Sequence, residues 1–226
     1  MTQKLILVGV GLFSEVALTY FTEAGDYDVI AFAEEEKYLV SRDEKVFNGR
    51  PVIPFEKASQ THSPSEYKMF VAVGSTQMNH IRARLYSDAI EQGYELVSYV
   101  HPGVRIWSNN TIGSNCFIFE NNTIQPHTKI GNNVILWSGN HIGHHSVIRD
   151  HVFITSHVVV SGSCEIGEYC FIGVNATLID GIKIGANCLV GAGALVKKDC
   201  LEEELLSPTR TKPREEGTRP RFFDYS

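Results

Sequence analysis

The chain has 226 residues, a formal net charge of −6 and 43% hydrophobic residues. That length folds as one large domain or two modest ones without disulfides, and the acidic balance supplies no field to gather nucleic acid or anionic lipid. Five cysteines with no CxxC pair argue against a disulfide framework or a zinc knuckle and for a reducing, cytoplasmic setting.

In chain order, "QKLILVGV" (3–10) predicts a buried first strand rather than a signal peptide, because glycines follow a short apolar run. No apolar stretch approaches the roughly 18 residues of a membrane span, so no membrane insertion is expected. "FSEVALTYFTEA" (13–24) has helical spacing, and "YDVIAFA" (27–33) and "KMFVAVG" (68–74) read as strands. "MNHIRARLYSDAIEQG" (78–93) predicts a second long helix and "ELVSYV" (95–100) a last strand. Strands alternating with helices imply a small parallel, Rossmann-like α/β domain over residues 1–100. Ligands of such sheets sit at the carboxyl ends of the strands, where the loops Gly9–Ser14, Glu34–Glu36 and Gly74–Gln77 converge. Gly9, Gly11, Glu34, Glu35, Gly74 and Ser75 are therefore the candidate binding residues there. "GVGLFS" departs from GxGxxG by lacking its third glycine, and the glutamates read either as ribose or base acceptors or as a solvated loop.

From His101 the character changes. Stepping by six from Ile106 to Val196 meets sixteen aliphatic residues in succession, a period that fits neither helix nor simple strand. It is the pattern of a hexapeptide parallel β-helix, here of about five triangular coils over residues 101–200. Glycine follows the aliphatic position seven times, from Gly113 to Gly191, and is expected to serve tight turns. All five cysteines fall four residues after an aliphatic position, in the small slot against the core, and are expected to be structural. After Val196 the repeat stops, and residues 201–226, with Phe222, Phe223 and Tyr225, are expected to form an extended tail.

From "LILVGVG" to "GAGALVKKD" the chain resembles the sialic acid O-acetyltransferases and bacterial nucleotide-sugar N-acetyltransferases. The resemblance implies a left-handed β-helix, a homotrimer with active sites at subunit interfaces, acetyl-CoA as co-substrate, and an N-terminal domain that holds a nucleotide-linked sugar. It also implies a catalytic histidine in a segment like "xVxHDCxIG", which "NHIGHHSVIRD" occupies here, so that His144 is the matching residue. Four departures stand out: His145 replaces the acid after that histidine, Trp137 stands where an asparagine is common, "GVGLFS" replaces GxGGHG, and the terminal "GxPAK" is absent. His145 and Trp137 are carried as substrate contacts, and Gly162, Gly173, Val174 and Ala192 match segments that meet CoA.

Acetyl transfer from a thioester needs a base for the attacking amine or hydroxyl and a proton for the departing thiolate, and an imidazole serves both near neutral pH. His144 is the expected base, in the biosynthesis of a surface polysaccharide or glycan. His127, His145, His151 and His157 share registers and also read as solvent-facing columns, with His141 shaping the pocket. Three other readings stay open: O-acetylation of a sugar hydroxyl, a non-catalytic trimeric scaffold, and a gamma-class carbonic anhydrase zinc site, although no metal is expected.

Overall fold

The computed structural model describes residues 2–40 and 45–208. The first unit carries β1 (Gln3–Val8), α1 (Leu12–Ala24), β2 (Tyr27–Glu34), α2 (Glu36–Leu39), β3 (Val46–Phe47), β4 (Arg50–Pro54), α3 (Ala58–Thr61), β5 (Tyr67–Val71) and α4 (His80–Glu91). Its sheet runs β3-β4-β2-β1-β5, parallel throughout except for the short β3–β4 hairpin. That hairpin is not visible in the hydrophobic pattern, because its turn residues Asn48 and Gly49 separate runs too short to show alternation. Buried apolar runs such as Leu5–Val8 and Ala31–Ala33 are what a parallel sheet covered on both faces requires.

The strand expected over 95–100 is a different object. Leu96 makes one bridge to Met69, and only Tyr99–Val100 (β6) is extended, pairing with β8 (Phe117–Ile118) of the second unit. The chain thus passes into the β-helix before His101.

The second unit continues from β7 (Thr111–Ile112) to β21 (Leu195–Val196) in two-residue strands that pair parallel with the strand eighteen residues on, as Lys129 does with Val147. Three sheets result. One, in the order β22 (Leu205–Leu206), β20 (Leu189–Val190), β17 (Phe171–Ile172), β14 (Phe153–Ile154), β11 (Ile135–Leu136), β8 and β6, lies against the α/β unit; we call it the covered sheet. The chain then crosses to a second sheet, in the order β21, β18 (Thr177–Leu178), β15 (Val159–Val160), β12 (His141–Ile142) and β9 (Thr123–Ile124), and a third, in the order β19 (Lys183–Ile184), β16 (Glu165–Ile166), β13 (Val147–Ile148), β10 (Lys129–Ile130) and β7, before returning. From Ile112 to Val196 the aliphatic positions point inward and form one continuous core with Val104, whereas Ile106, the first of the sixteen, is 39% exposed. The coil does not stop at Val196: Cys200 bridges to Ile184, and β22 (Leu205–Leu206) adds to the covered sheet. Phe222, Phe223 and Tyr225 lie outside the described residues.

Two readings of the repeat change on inspection. The glycines after the aliphatic position do not have positive φ; they are needed because the next coil passes close by, and a Cβ on Gly143 would meet Ser161 C at 2.4 Å. The left-handed residue lies two places later and recurs every six residues from Asn115 to Gly193. His127, His145, His151 and His157 all occupy that slot, with φ of 63, 58, 64 and 58°. Histidine, with asparagine, is among the side chains that tolerate this conformation, so much of the histidine cluster has a backbone cause.

Cys116, Cys164, Cys170 and Cys188 fill the small slot as expected, whereas Cys200 bridges to Ile184 and so stands in the register of the aliphatic position. Four are buried, Cys200 is half-buried, and thiols of Cys116, Cys164 and Cys170 reach carbonyls of the following coil at 3.0, 3.1 and 3.0 Å. Burial pushes Cys116 and Cys170 up to about 12, which keeps them unreactive thiols.

The two units share a core. Phe117, Phe119, Ile135 and Phe153 of the covered sheet pack with Leu5, Ala17, Phe21 and Phe70. At its edge the wholly buried Arg82 of α4 donates to Asn79 Oδ1, Asn133 Oδ1 and the carbonyls of Gly74, Asn133 and His151. Asn115 Oδ1 accepts the Val71 N–H at 2.7 Å, so a β-helix side chain completes the edge strand β5.

Candidate active site

At the carboxyl ends of β1 and β2 lies a cleft of about 530 Å³, lined by Gly9, Gly11, Glu34 and Glu35 together with Lys37, Gln77 and Arg84. Gly9 is obligatory by geometry: its φ is +115°, and a Cβ would sit 3.0 Å from Ala72 O. Ser14, fully buried, donates to Ala72 O at 3.0 Å and accepts from Gly11 N–H at 3.4 Å, which ties the loop to β5 and starts α1 beside the cleft. A helix N-terminus there favours an anion. The two side chains that spoil the glycine motif are placed harmlessly for the loop backbone. Leu12 is 82% exposed, and Phe13 turns down among Phe70, Phe117 and Trp137 at 6.3, 5.7 and 6.2 Å.

Glu35 is held by Arg84 at 2.9 Å and Lys37 at 3.2 Å. Burial pushes its carboxyl up, but hydrogen bonds to Arg84 and Lys37 outweigh that and hold it below the usual carboxylate value. The stabilisation is therefore present above the unfolded carboxylate pKa and lost as pH falls through the lowered folded value. Glu35→Gln is expected to flatten the acid limb of stability by about 1 kcal/mol or less, since both cations are largely solvated; urea unfolding between neutral pH and pH 3 measures it. Lys37 and Arg84 were not singled out from sequence. The signal was present in "EEEK" and in the spacing of Ile81, Arg84 and Leu85 along α4. Gly74 and Ser75 do not line the cleft; their carbonyls accept from Arg82 and from Asn79 N–H.

Trp137 is also elsewhere: it stacks on Phe119 at 4.4 Å and 10°, plugging the seam between the units. Beside it Glu120 accepts from Tyr20 at 2.7 Å and Ser138 at 2.5 Å. Burial and then Glu120 push the Tyr20 hydroxyl up to about 12.

His144 stands in the turn after β12 (His141–Ile142), at the corner between the second and third sheets, with an exposed ring. Its N–H donates to Gln125 Oε1 at 2.8 Å, and its Nδ1 lies 3.2 Å from His145 Nδ1. Gly162 sits one coil below: a Cβ there would be 2.8 Å from His144 Nε2 and 3.0 Å from Asp180 Oδ1. The CoA candidates divide. Gly162 adjoins His144, whereas Gly173, Val174 and Ala192 stack on the corner between the covered and second sheets. Among the described residues no three His, Cys, Asp or Glu side chains converge as a metal site needs, and no helix is long and apolar enough to cross a membrane.

The structure thus joins a triangular β-helix, with an imidazole at one corner, to an α/β unit with an anion-suited cleft. Residues 4–89 match the family model of the PglD N-terminal domain, and 110–143, 127–162 and 163–198 match that of the bacterial transferase hexapeptide (six repeats). The acetyltransferase domain of PglB from Neisseria gonorrhoeae is similar over 90% of this chain and 96% of its own, at 25% identity and a TM-score of 0.80. A mutant perosamine N-acetyltransferase from Caulobacter crescentus, in complex with CoA and GDP-perosamine, covers 91% of this chain and 93% of its own at 22% identity and TM-score 0.79. WeeI from Acinetobacter baumannii shares the fold over 90% of this chain and 96% of its own, at 18% identity and TM-score 0.76. No curated protein matches the chain. The chain belongs to the hexapeptide-repeat acetyltransferases that carry a PglD-type N-terminal domain.

Proposed function

We propose that the protein transfers the acetyl group of acetyl-CoA to the amine of a nucleotide-linked amino sugar, in the cytoplasm, for a surface polysaccharide or glycan. His144 is the general base. Its Nε2 takes a proton from the amine as nitrogen attacks the thioester carbonyl, and the imidazolium returns a proton to sulfur as the C–S bond breaks. The cleft of the α/β unit holds the nucleotide, with Gly9 and Gly11 and the start of α1 near the phosphates and Lys37 and Arg84 as cations.

One observation carries this reading: the cleft and His144 are on opposite sides of the same prism. The α/β unit lies on the covered sheet, and His144 stands at the corner facing away from it. A sugar held in the cleft is therefore delivered to the histidine of another copy. The surfaces support a homotrimer. The third sheet presents Lys129, Glu165 and Lys183 outward, whereas the second presents Thr123, His141, Val159, Thr177 and Leu195, with no formal charge among them. Packing second sheets around a threefold axis brings one copy's His144 corner toward a neighbour's Gly173, Val174 and Ala192.

The test is free-thiol release from acetyl-CoA with UDP-, dTDP- and GDP-linked amino sugars. His144→Ala is expected to lower kcat by about 10²- to 10⁴-fold at unchanged oligomeric state, read by sedimentation. Turnover of sugar hydroxyls with none of amines would replace this reading with O-acetyl transfer.

A further inference from the structure

We infer that His145 is the positioning residue of the His144 base: its Nδ1 accepts the Nδ1 proton of His144 and so fixes the tautomer whose lone pair lies on Nε2. This rests on the reading of His144 as the base.

A neutral imidazole carries one proton on two nitrogens, and which nitrogen is free depends on what the other one bonds. The 3.2 Å contact joins His144 Nδ1 to His145 Nδ1, so one of them donates and the other accepts. Only donation by His144 leaves its Nε2 basic, and Nε2 is the nitrogen that lies beside Gly162. The ring plane of His145 is set by a ladder that runs up the same corner. Asn109 Oδ1 accepts the His127 N–H at 3.3 Å, which fixes the amide orientation. Asn109 Nδ2 therefore donates to His127 Nε2 at 3.1 Å. His127 then stacks on His145 at 4.5 Å and 18°, and His145 meets His144 edge-on at 81°. The stack holds the plane of His145 so that Nδ1 points at His144, and the left-handed backbone at both stacked residues places them one above the other.

Among the described residues no other hydrogen-bond partner stands at His144 Nδ1. Gln125 Oε1 is taken by the backbone N–H of His144, and Asp180 lies on the Nε2 side, past Gly162. An aromatic acceptor thus does here what a carboxylate does in Ser-His-Asp sites, without adding a negative charge.

Three variants test it, because the slot is left-handed and tolerates each of them. His145→Gly removes the acceptor and relaxes the backbone, so folding is preserved. His145→Asn keeps an acceptor oxygen in a side chain that fills the same slot at Asn115, Asn133 and Asn187. His145→Asp supplies a carboxylate. The expected result is a loss of kcat on the order of tenfold to a hundredfold for Gly, with KM for acetyl-CoA and amino sugar unchanged, and recovery of most of that loss in Asn and Asp. Wild-type kcat in the Gly variant, a raised KM at constant kcat, or equal loss in Gly and Asn would each overturn the inference while leaving the His144 reading intact. Full activity in His144→Ala would overturn both, and the two failures are told apart by that variant.

Discussion

Arg82→Ala is expected to destabilise the protein by about 3–5 kcal/mol, the largest effect of any single polar truncation in the chain. Arg82 is wholly buried yet has no carboxylate partner among the described residues. Burial lowers its guanidinium to about 9, so it is still charged at neutral pH. What makes the charge tolerable is a ring of acceptors: Gly74 O at 3.0 Å, Asn79 Oδ1 at 3.1 Å, Asn133 Oδ1 at 3.1 Å and O at 3.2 Å, and His151 O at 3.0 Å, with the Phe153 ring 5.6 Å away. Truncation strips these acceptors of their donor inside a dry seam and leaves a cavity as well. Lysine does not rescue, because one ammonium cannot serve acceptors spread around a planar fork. The seam should loosen before either unit unfolds. In a Trp107→Phe background, Trp137 at the seam reports this: its emission should change at lower urea than the far-ultraviolet signal. A loss under about 1 kcal/mol with coincident transitions would mean that water replaces the guanidinium.

Arg82 also shows what a sequence hides. A helix reading of 78–93 places it on α4, but nothing in "HIRARLY" distinguishes the arginine that is buried from Arg84, which lines the cleft. The difference lies in which face of α4 meets the covered sheet, and that is a tertiary fact. The hexad, by contrast, was legible, because a β-helix core repeats one local environment and every coil votes for the same frame. The end of the repeat was not, since the last coil is two residues short: Cys200 pairs with Ile184 and Leu205 with Leu189, sixteen residues apart where every earlier pair of the β-helix is eighteen apart. At the candidate site, the surrounding motif singles out His144 as the proposed base, and His145 reads as a lost carboxylate. Its bond to His144 depends on a left-handed φ that spacing does not reveal. Trp137, noted as a departure near the acceptor, turned out to fill the seam against Phe119, because outward residues of the covered sheet are buried by the α/β unit.

The same substitution at two neighbouring glycines should have opposite consequences. Gly143→Ala puts a Cβ 2.4 Å from Ser161 C and 2.5 Å from Gly162 N, atoms of the next coil that cannot move without parting two rungs. It is expected to cost about 1–3 kcal/mol or more of stability. Gly162→Ala instead meets the His144 ring, at 2.6 Å from Cε1 and 2.8 Å from Nε2, and Asp180 Oδ1 at 3.0 Å. A side chain can swing away where a backbone cannot, so stability should change by less than about 1 kcal/mol. If His144 is the base, its displacement by about 1 Å should lower kcat on the order of 10²-fold. A double-mutant cycle separates this steric route from a direct role of Gly162 in holding CoA. If the alanine acts by moving the ring, it should lower residual turnover little in His144→Ala, where the ring is gone, and the stability cost should vanish there as well. If Gly162→Ala instead raises KM for acetyl-CoA equally in both backgrounds, the glycine acts on the co-substrate and not on the base.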